Sequence, residues 1–135
     1  MDDNSKRFDA VRSRRAACLA VVAQTDIEAK TNAKSMSEEE IEIISNLDLM
    51  ISMDSANGHI AANYNIPVIT LWGLTHPFAG FSPFLSLSEN MIVSNRKQYP
   101  QIPTSAYGNK TPKGYENVMR TIDVSDVILA VNKVL

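Results

Sequence analysis

Hydrophobic and polar positions fall into a simple order from residue 36 onward. Two nearly continuous apolar runs, LDLMISM at residues 47–53 and PVITLW at residues 67–72, flank a short polar cluster and an Ala-rich stretch. Runs of that kind suit parallel strands covered on both faces. Ahead of them, Ile41, Ile44 and Leu47 recur at helical spacing, which predicts a helix of about ten residues ending near Asn46. SEEE at residues 37–40 is a capping box, in which the Ser37 hydroxyl accepts from the Glu40 amide and the Glu40 carboxylate reaches back. Met36 and Ile41 are placed for a hydrophobic staple, and the acids suit the positive end of the helix dipole. A second helix is predicted from about Asn57 to Asn65, so residues 47–72 form a strand–helix–strand unit with a right-handed crossover.

NMIVSN, residues 90–95, is a third candidate strand. Residues 95–118 are rich in Pro, Gly, Lys and Tyr and read as a long ordered loop. IDVSDVILAVNKVL is a closing helix capped by Asp123 or Ser125, with Val127, Val131 and Val134 on its inner face. The predicted fold class is α/β, a Rossmann-like parallel sheet flanked by helices. Its domain spans residues 36–135. Residues 1–35 form a basic and polar opening without an assigned fold.

That opening carries Lys6, Arg7, Arg12, Arg14 and Arg15. Such a cluster can meet an anionic lipid or an acidic partner, but a solvated helix face is the simpler expectation. RRAACLAVVAQ resembles a secretory leader only superficially, because its apolar run is short and Asp2, Asp3 and Asp9 precede it. A buried helix or strand is expected there instead. The net charge of -2 gives no drive towards nucleic acid. One cysteine, Cys18, cannot close an internal disulfide, so a cytoplasmic setting is expected. Two histidines and one cysteine far apart in sequence do not suggest a metal site.

The candidate chemistry sits at residues 54–59, Asp-Ser-Ala-Asn-Gly-His. In open α/β sheets, ligands bind beyond the carboxyl ends of the strands, beside helix amino termini. The amides of Asn57, Gly58, His59 and Ile60 would open a helix there and form an anion site fit for a diphosphate. Ser55 and Asn57 would add donors, Gly58 would let the backbone approach closely, and His59 could donate to a phosphate oxygen. Asp54 repels phosphate, so its task would be to accept from sugar hydroxyls. The competing reading is an ordinary capped turn.

WGLTHPFAG, residues 72–80, is the second candidate. Here Thr75 and His76 could face the same crevice, unless Trp72 and Phe78 are core and the loop only connects. SAYGNKTPKGY is the third, where Lys110 and Lys113 could meet negative charge or simply be solvated. No nucleophile elbow, Walker loop or G-x-G-x-x-G occurs.

Taken together, DLMISMDSANGHIAANYNIPVITLWGLTHP resembles the carboxyl-terminal signature of family 9 glycosyltransferases, the lipopolysaccharide heptosyltransferases. Asp54, Ser55 and His59 fall on the polar positions of its D-[ST]-G-x-x-H motif, and Gly73, Thr75 and Pro77 on its G-x-T-x-P loop. Ala56 stands where the motif has Gly. The resemblance extends over roughly residues 34–135. It implies one half of a GT-B fold, with Asp54 on the donor sugar and residues 55–59 on its diphosphate. The implied donor-binding set is Asp54, Ser55, Ala56, Asn57, Gly58, His59, Thr75 and His76.

The implied reaction is metal-independent, inverting transfer from a nucleotide-sugar such as ADP-heptose to a lipid-linked or core oligosaccharide, without a cofactor. It would take place in the cytoplasm or at the inner face of the bacterial inner membrane. The upstream strand and acid expected to hold the ribose are not evident in residues 1–35. The amino-terminal domain, with its acceptor site and general base, has no counterpart in these residues. The chain is therefore expected to be a fragment, inactive by itself, that pairs with a separate amino-terminal half or self-associates. Two alternatives remain: an inactive remnant kept as an interaction module, and another GT-B member such as a nucleotide-sugar epimerase.

Overall fold

A computed structural model of the chain describes residues 19–22 and 38–135. Its centre is a four-stranded, fully parallel sheet in the sequential order β1 (Leu19–Val22), β2 (Leu49–Met53), β3 (Val68–Trp72) and β4 (Met91–Val93). Helix α1 (Glu38–Ser45) precedes β2, α2 (Ala56–Asn63) links β2 to β3, and α3 (Val124–Val134) closes the chain. The predicted α/β class is thus the observed one, and the βαβ unit is present with its boundaries moved by one or two residues. Ser37 and Met36, the outer half of the expected capping box and staple, lie outside the described residues.

Alternation along β2 and β3 divides the core in two, because successive strand side chains point to opposite faces. On one face Met50 and Val68 meet Ile44 and Leu47, from α1 and its end, and Ala61 of α2. On the other, Leu49, Ile51, Ile69 and Ile92 meet Ala130, with Val127, Val131 and Val134 of α3 packed against them. The three valines read from the sequence are therefore the inner face of α3. Its cap is Asp123, whose carboxylate accepts from the Ser125 amide at 2.8 Å.

Polar residues inside the strands are satisfied locally. The buried Ser52 hydroxyl donates to the Met53 carbonyl at 2.8 Å, and Trp72 Nε1 donates to Thr70 Oγ1 at 2.9 Å. Residues 95–118 form the expected ordered loop, and it has a small core of its own. Tyr99, Ile102 and Val118 are buried there, with Leu74, Tyr115 and Met119 packed against them. The Tyr99 and Tyr115 rings meet edge to face at 4.9 Å.

The apolar run within residues 14–24, expected as a buried helix or strand, contains a strand: residues 19–22 pair in parallel with β2, Leu19 opposite Leu49. An upstream strand is therefore present, and the sheet extends outside the expected domain bounds of 36–135. Four apolar residues in an Ala-rich run are too few to show a period. Their state is decided by the neighbouring strand rather than by local propensity.

Candidate functional site

Both βα junctions of the central unit open at the carboxyl end of the sheet, and they resolve their polar groups differently. After β2 the chain turns at Asp54 and Ser55 into α2. Ser55 is the N-cap, with extended backbone (φ -146°, ψ 161°), but its side chain makes no capping hydrogen bond. An N-cap serine ordinarily accepts from an amide of the first turn. Here the Ser55 hydroxyl is buried without a partner among the described residues. A buried hydroxyl left unpaired costs about 1–3 kcal/mol. The first amides of α2 likewise have no acceptor within the helix.

Asp54 is half-buried beside them. Burial pushes its carboxyl group up from the usual aspartate value, opposed by a hydrogen bond from the Thr75 side chain and by the nearby charge of His59. Ala56 is exposed, and Asn57 and His59 are half-buried. Gly58 has a packing role. A Cβ at this position would lie 2.5 Å from Ser52 Oγ and 3.5 Å from Val68 Cγ1, so the missing side chain seats α2 against β2 and β3.

After β3 the outcome is the opposite. Thr75 is buried and close to Asp54, as expected. His76, expected on the donor, is occupied by its own turn. Its Nδ1 accepts from the Phe78 amide at 3.2 Å, capping the 3-10 turn Pro77–Ala79, and its ring lies 4.4 Å from that of Phe78. Burial, then the charge of Arg96, pull its pKa below the ordinary histidine value, which keeps Nδ1 free to accept. Trp72 is fully buried, but Phe78 is 88% exposed, so only the first of the two expected core aromatics is core. Gly73 makes room for Met119, which a Cβ there would strike.

Between these junctions and the 104–119 loop lies a cleft of about 310 Å³. Asp54 and Thr75 form its polar floor, with Met53, Leu71 and Met119 as apolar wall. Tyr107, Thr111, Tyr115 and Glu116 close the far side. Three of them, Tyr107, Thr111 and Tyr115, belong to the candidate loop SAYGNKTPKGY, and Glu116 follows it. The two lysines themselves are exposed and do not line the cleft. Glu116 is held below the usual glutamate value by its own amide and that of Gly114, which donates to Oε1 at 3.1 Å. Of the expected donor set, the structure thus places Asp54 and Thr75 in the cleft, residues 55–59 at the adjoining helix start, and His76 in its own cap.

This arrangement can accept hydrogen bonds from hydroxyl groups at Asp54 and donate them to an anion at the start of α2. Among the described residues no three His, Cys, Asp or Glu side chains gather to hold a metal ion. No helix among them is long and apolar enough to cross a membrane.

Comparison with known proteins bears on the same region. The family model described as Glycosyltransferase family 9 (heptosyltransferase) matches residues 3–111. That match takes in most of residues 1–35, which the recognisable motifs did not reach, and stops before α3. Lipopolysaccharide heptosyltransferase 3 of Escherichia coli is 37% identical over 94 residues, covering 69% of this chain and 25% of the relative. The protein of the same name from strain K12 is 36% identical over 94 residues, with the same coverage. The chain therefore spans about a quarter of the length of the curated relatives it matches. No solved structure matches it. Since the family model covers most of the sequence, including the whole of the Asp54 and Thr75 junctions, the chain belongs to glycosyltransferase family 9.

Proposed function

We propose that this chain binds the donor of a glycosyl transfer, a nucleotide-sugar of the ADP-heptose kind, in the cleft between Asp54, Thr75 and the 104–119 loop. The observation that carries the reading is the Ser55 hydroxyl, buried without a partner at the start of α2 and next to a half-buried acid. A diphosphate would take that hydroxyl and the free amides of residues 57–59, favoured by the helix dipole. Asp54 would then accept from the donor sugar, and the apolar wall of Met53, Leu71 and Met119 would exclude water.

The chain would belong to one of the two domains of a GT-B enzyme. Its acceptor, a lipid-linked or core oligosaccharide, and the general base would be supplied by the part of the fold that the relatives carry beyond the matched quarter. Transfer would be inverting and metal-independent, with the helix start in place of a cation on the departing diphosphate.

Isothermal titration with ADP and with ADP-heptose tests the reading. Both should bind, and Asp54→Ala should weaken ADP-heptose by roughly tenfold while leaving ADP nearly unchanged, as for loss of a hydrogen bond to a charged group. Failure of either nucleotide to bind at millimolar concentration would sink it.

A second reading, an interaction module, draws on a separate observation. Phe78, Phe84, Leu85 and Leu87 are exposed in one stretch, and Val124, Ile128 and Leu129 project outward from α3. Apolar surface of that extent suits a partner domain or a second copy. Sedimentation of the chain over a range of concentrations checks it, because a monomer throughout would remove the second-copy case.

A further inference from the structure

The turn at residues 104–110 contains no lysine that reaches the cleft, yet it is fastened to the site. The Thr104 amide donates to the Leu74 carbonyl at 2.9 Å, and the Thr104 hydroxyl donates to the Lys110 carbonyl at 2.6 Å. The turn thus folds back on itself and hangs from the segment that leaves β3. Gly108 lies at its tip with φ +63°. A Cβ on Gly108 would lie 2.8 Å from Thr75 Cγ2, with Leu74 Cβ next at 4.0 Å. The backbone angle alone does not single this glycine out, because Gly114 at φ +90° has nothing within 4 Å of its missing Cβ.

Thr75 cannot yield freely. Its methyl and hydroxyl share one torsion, and a β-branched side chain has few staggered positions. Thr75 and Asp54 line the same cleft, so moving the methyl away from a side chain at 108 turns the Thr75 hydroxyl relative to Asp54. We propose that Gly108 is a positioning residue of the donor site: its bare Cα lets the 104–110 turn press on the Thr75 methyl and so fixes the Thr75 hydroxyl against the Asp54 carboxylate. The consequence for sugar binding rests on the proposed donor reading; the positioning itself does not.

Carbon-detected NMR titration of the Asp54 carboxyl in the full 135-residue chain tests it without any ligand. Thr75→Val keeps the branch and removes the donor, so the Asp54 midpoint should move up. Gly108→Ala should move it up by a comparable amount. Gly114→Ala, which strains the same loop but touches nothing, should leave it in place. Thr75→Ser removes the obstructed methyl and keeps the hydroxyl, so Gly108→Ala combined with Thr75→Ser should bring the midpoint back. The carboxyl of Glu116, across the cleft from Asp54, is followed in the same spectra as a control.

A folded Gly108→Ala protein with an unmoved Asp54 midpoint overturns the proposal. So does a displaced midpoint that Thr75→Ser does not restore. If Gly108→Ala does not fold, recovery of the folded spectrum on adding Thr75→Ser supports the contact, and no recovery overturns it. A parallel titration of ADP-heptose should show roughly tenfold weaker binding to Gly108→Ala, with ADP unaffected. Absence of ADP-heptose binding to the unaltered chain would instead remove the donor reading and leave the midpoint result standing.

Discussion

The two junctions that follow β2 and β3 begin from similar sequence and end in opposite states. Each leaves a buried parallel strand, and each presents a hydroxyl and an imidazole within a few residues. After β3, His76 caps its own turn and its Nδ1 is used internally. After β2, the capping position is filled by a serine that caps nothing, and the acid before it is taken partly out of water. A fold that needed only to turn the chain would settle both junctions in the first way. The unpaired Ser55 hydroxyl is what sets the β2 junction apart from the β3 junction, and it is the ground for the proposed donor site.

The largest test of that contrast concerns the glycines. Gly58 faces a Ser52 hydroxyl already held by the Met53 carbonyl, whereas Gly73 faces the flexible thioether of Met119. Gly58→Val should lower unfolding stability by about 1–3 kcal/mol through overpacking. Gly73→Ala should have a smaller effect, because Met119 has free rotamers to move into. Urea denaturation of both variants measures the difference. Equal losses would mean that α2 is not seated through Gly58.

Next in size is the contrast between the two caps. His76→Ala removes a capping acceptor and a buried ring packed on Phe78, and should cost about 1–2 kcal/mol. Ser55→Ala should cost nothing, and can stabilise, since it deletes a buried hydroxyl that has no partner. The usual loss on replacing an N-cap serine is about 0.5–2 kcal/mol. Thermal unfolding of the two variants decides: an ordinary capping loss at Ser55 would make the β2 junction a plain turn. The same Ser55→Ala protein should bind ADP more weakly.

Much of this was legible before the structure. The strand–helix–strand unit followed from two apolar runs, and the inner face of α3 from valines at helical spacing. The place of Asp54 and Thr75 followed from topology, because neighbouring parallel strands bring their following loops together. What could not be read depended on contacts distant in sequence. Nothing local marks His76 as self-capping and Ser55 as uncapped, since both residue types serve either purpose. The 105–115 loop was legible as a candidate, but that Tyr107, Tyr115 and Glu116 rather than its lysines reach the cleft was not, because the loop has no periodicity. Residues 19–22 stayed open between helix and strand because a four-residue strand has no pattern apart from its partner.

The subtlest contrast is in proton binding, where the two junctions should pull stability in opposite directions. Asp54 has a raised value in the folded state, so between the unfolded and folded values the folded chain holds a proton that the unfolded chain has lost. Its contribution is complete at pH below the ordinary aspartate value and disappears as pH rises through the folded one. At neutral pH the ionised acid is therefore a burden on the fold, and Asp54→Asn should raise the melting temperature there while weakening the sugar. His76 has a lowered value, so between its two values only the unfolded chain is protonated. Its contribution is complete above the ordinary histidine value and is lost as pH falls through the depressed folded one. Melting curves from neutral to mildly acidic pH should accordingly show a loss on acidification that His76→Gln flattens and Asp54→Asn does not. If Asp54→Asn instead lowers the neutral-pH melting temperature, the carboxylate is a stabilising partner in the fold, and the β2 junction is as self-contained as the β3 junction.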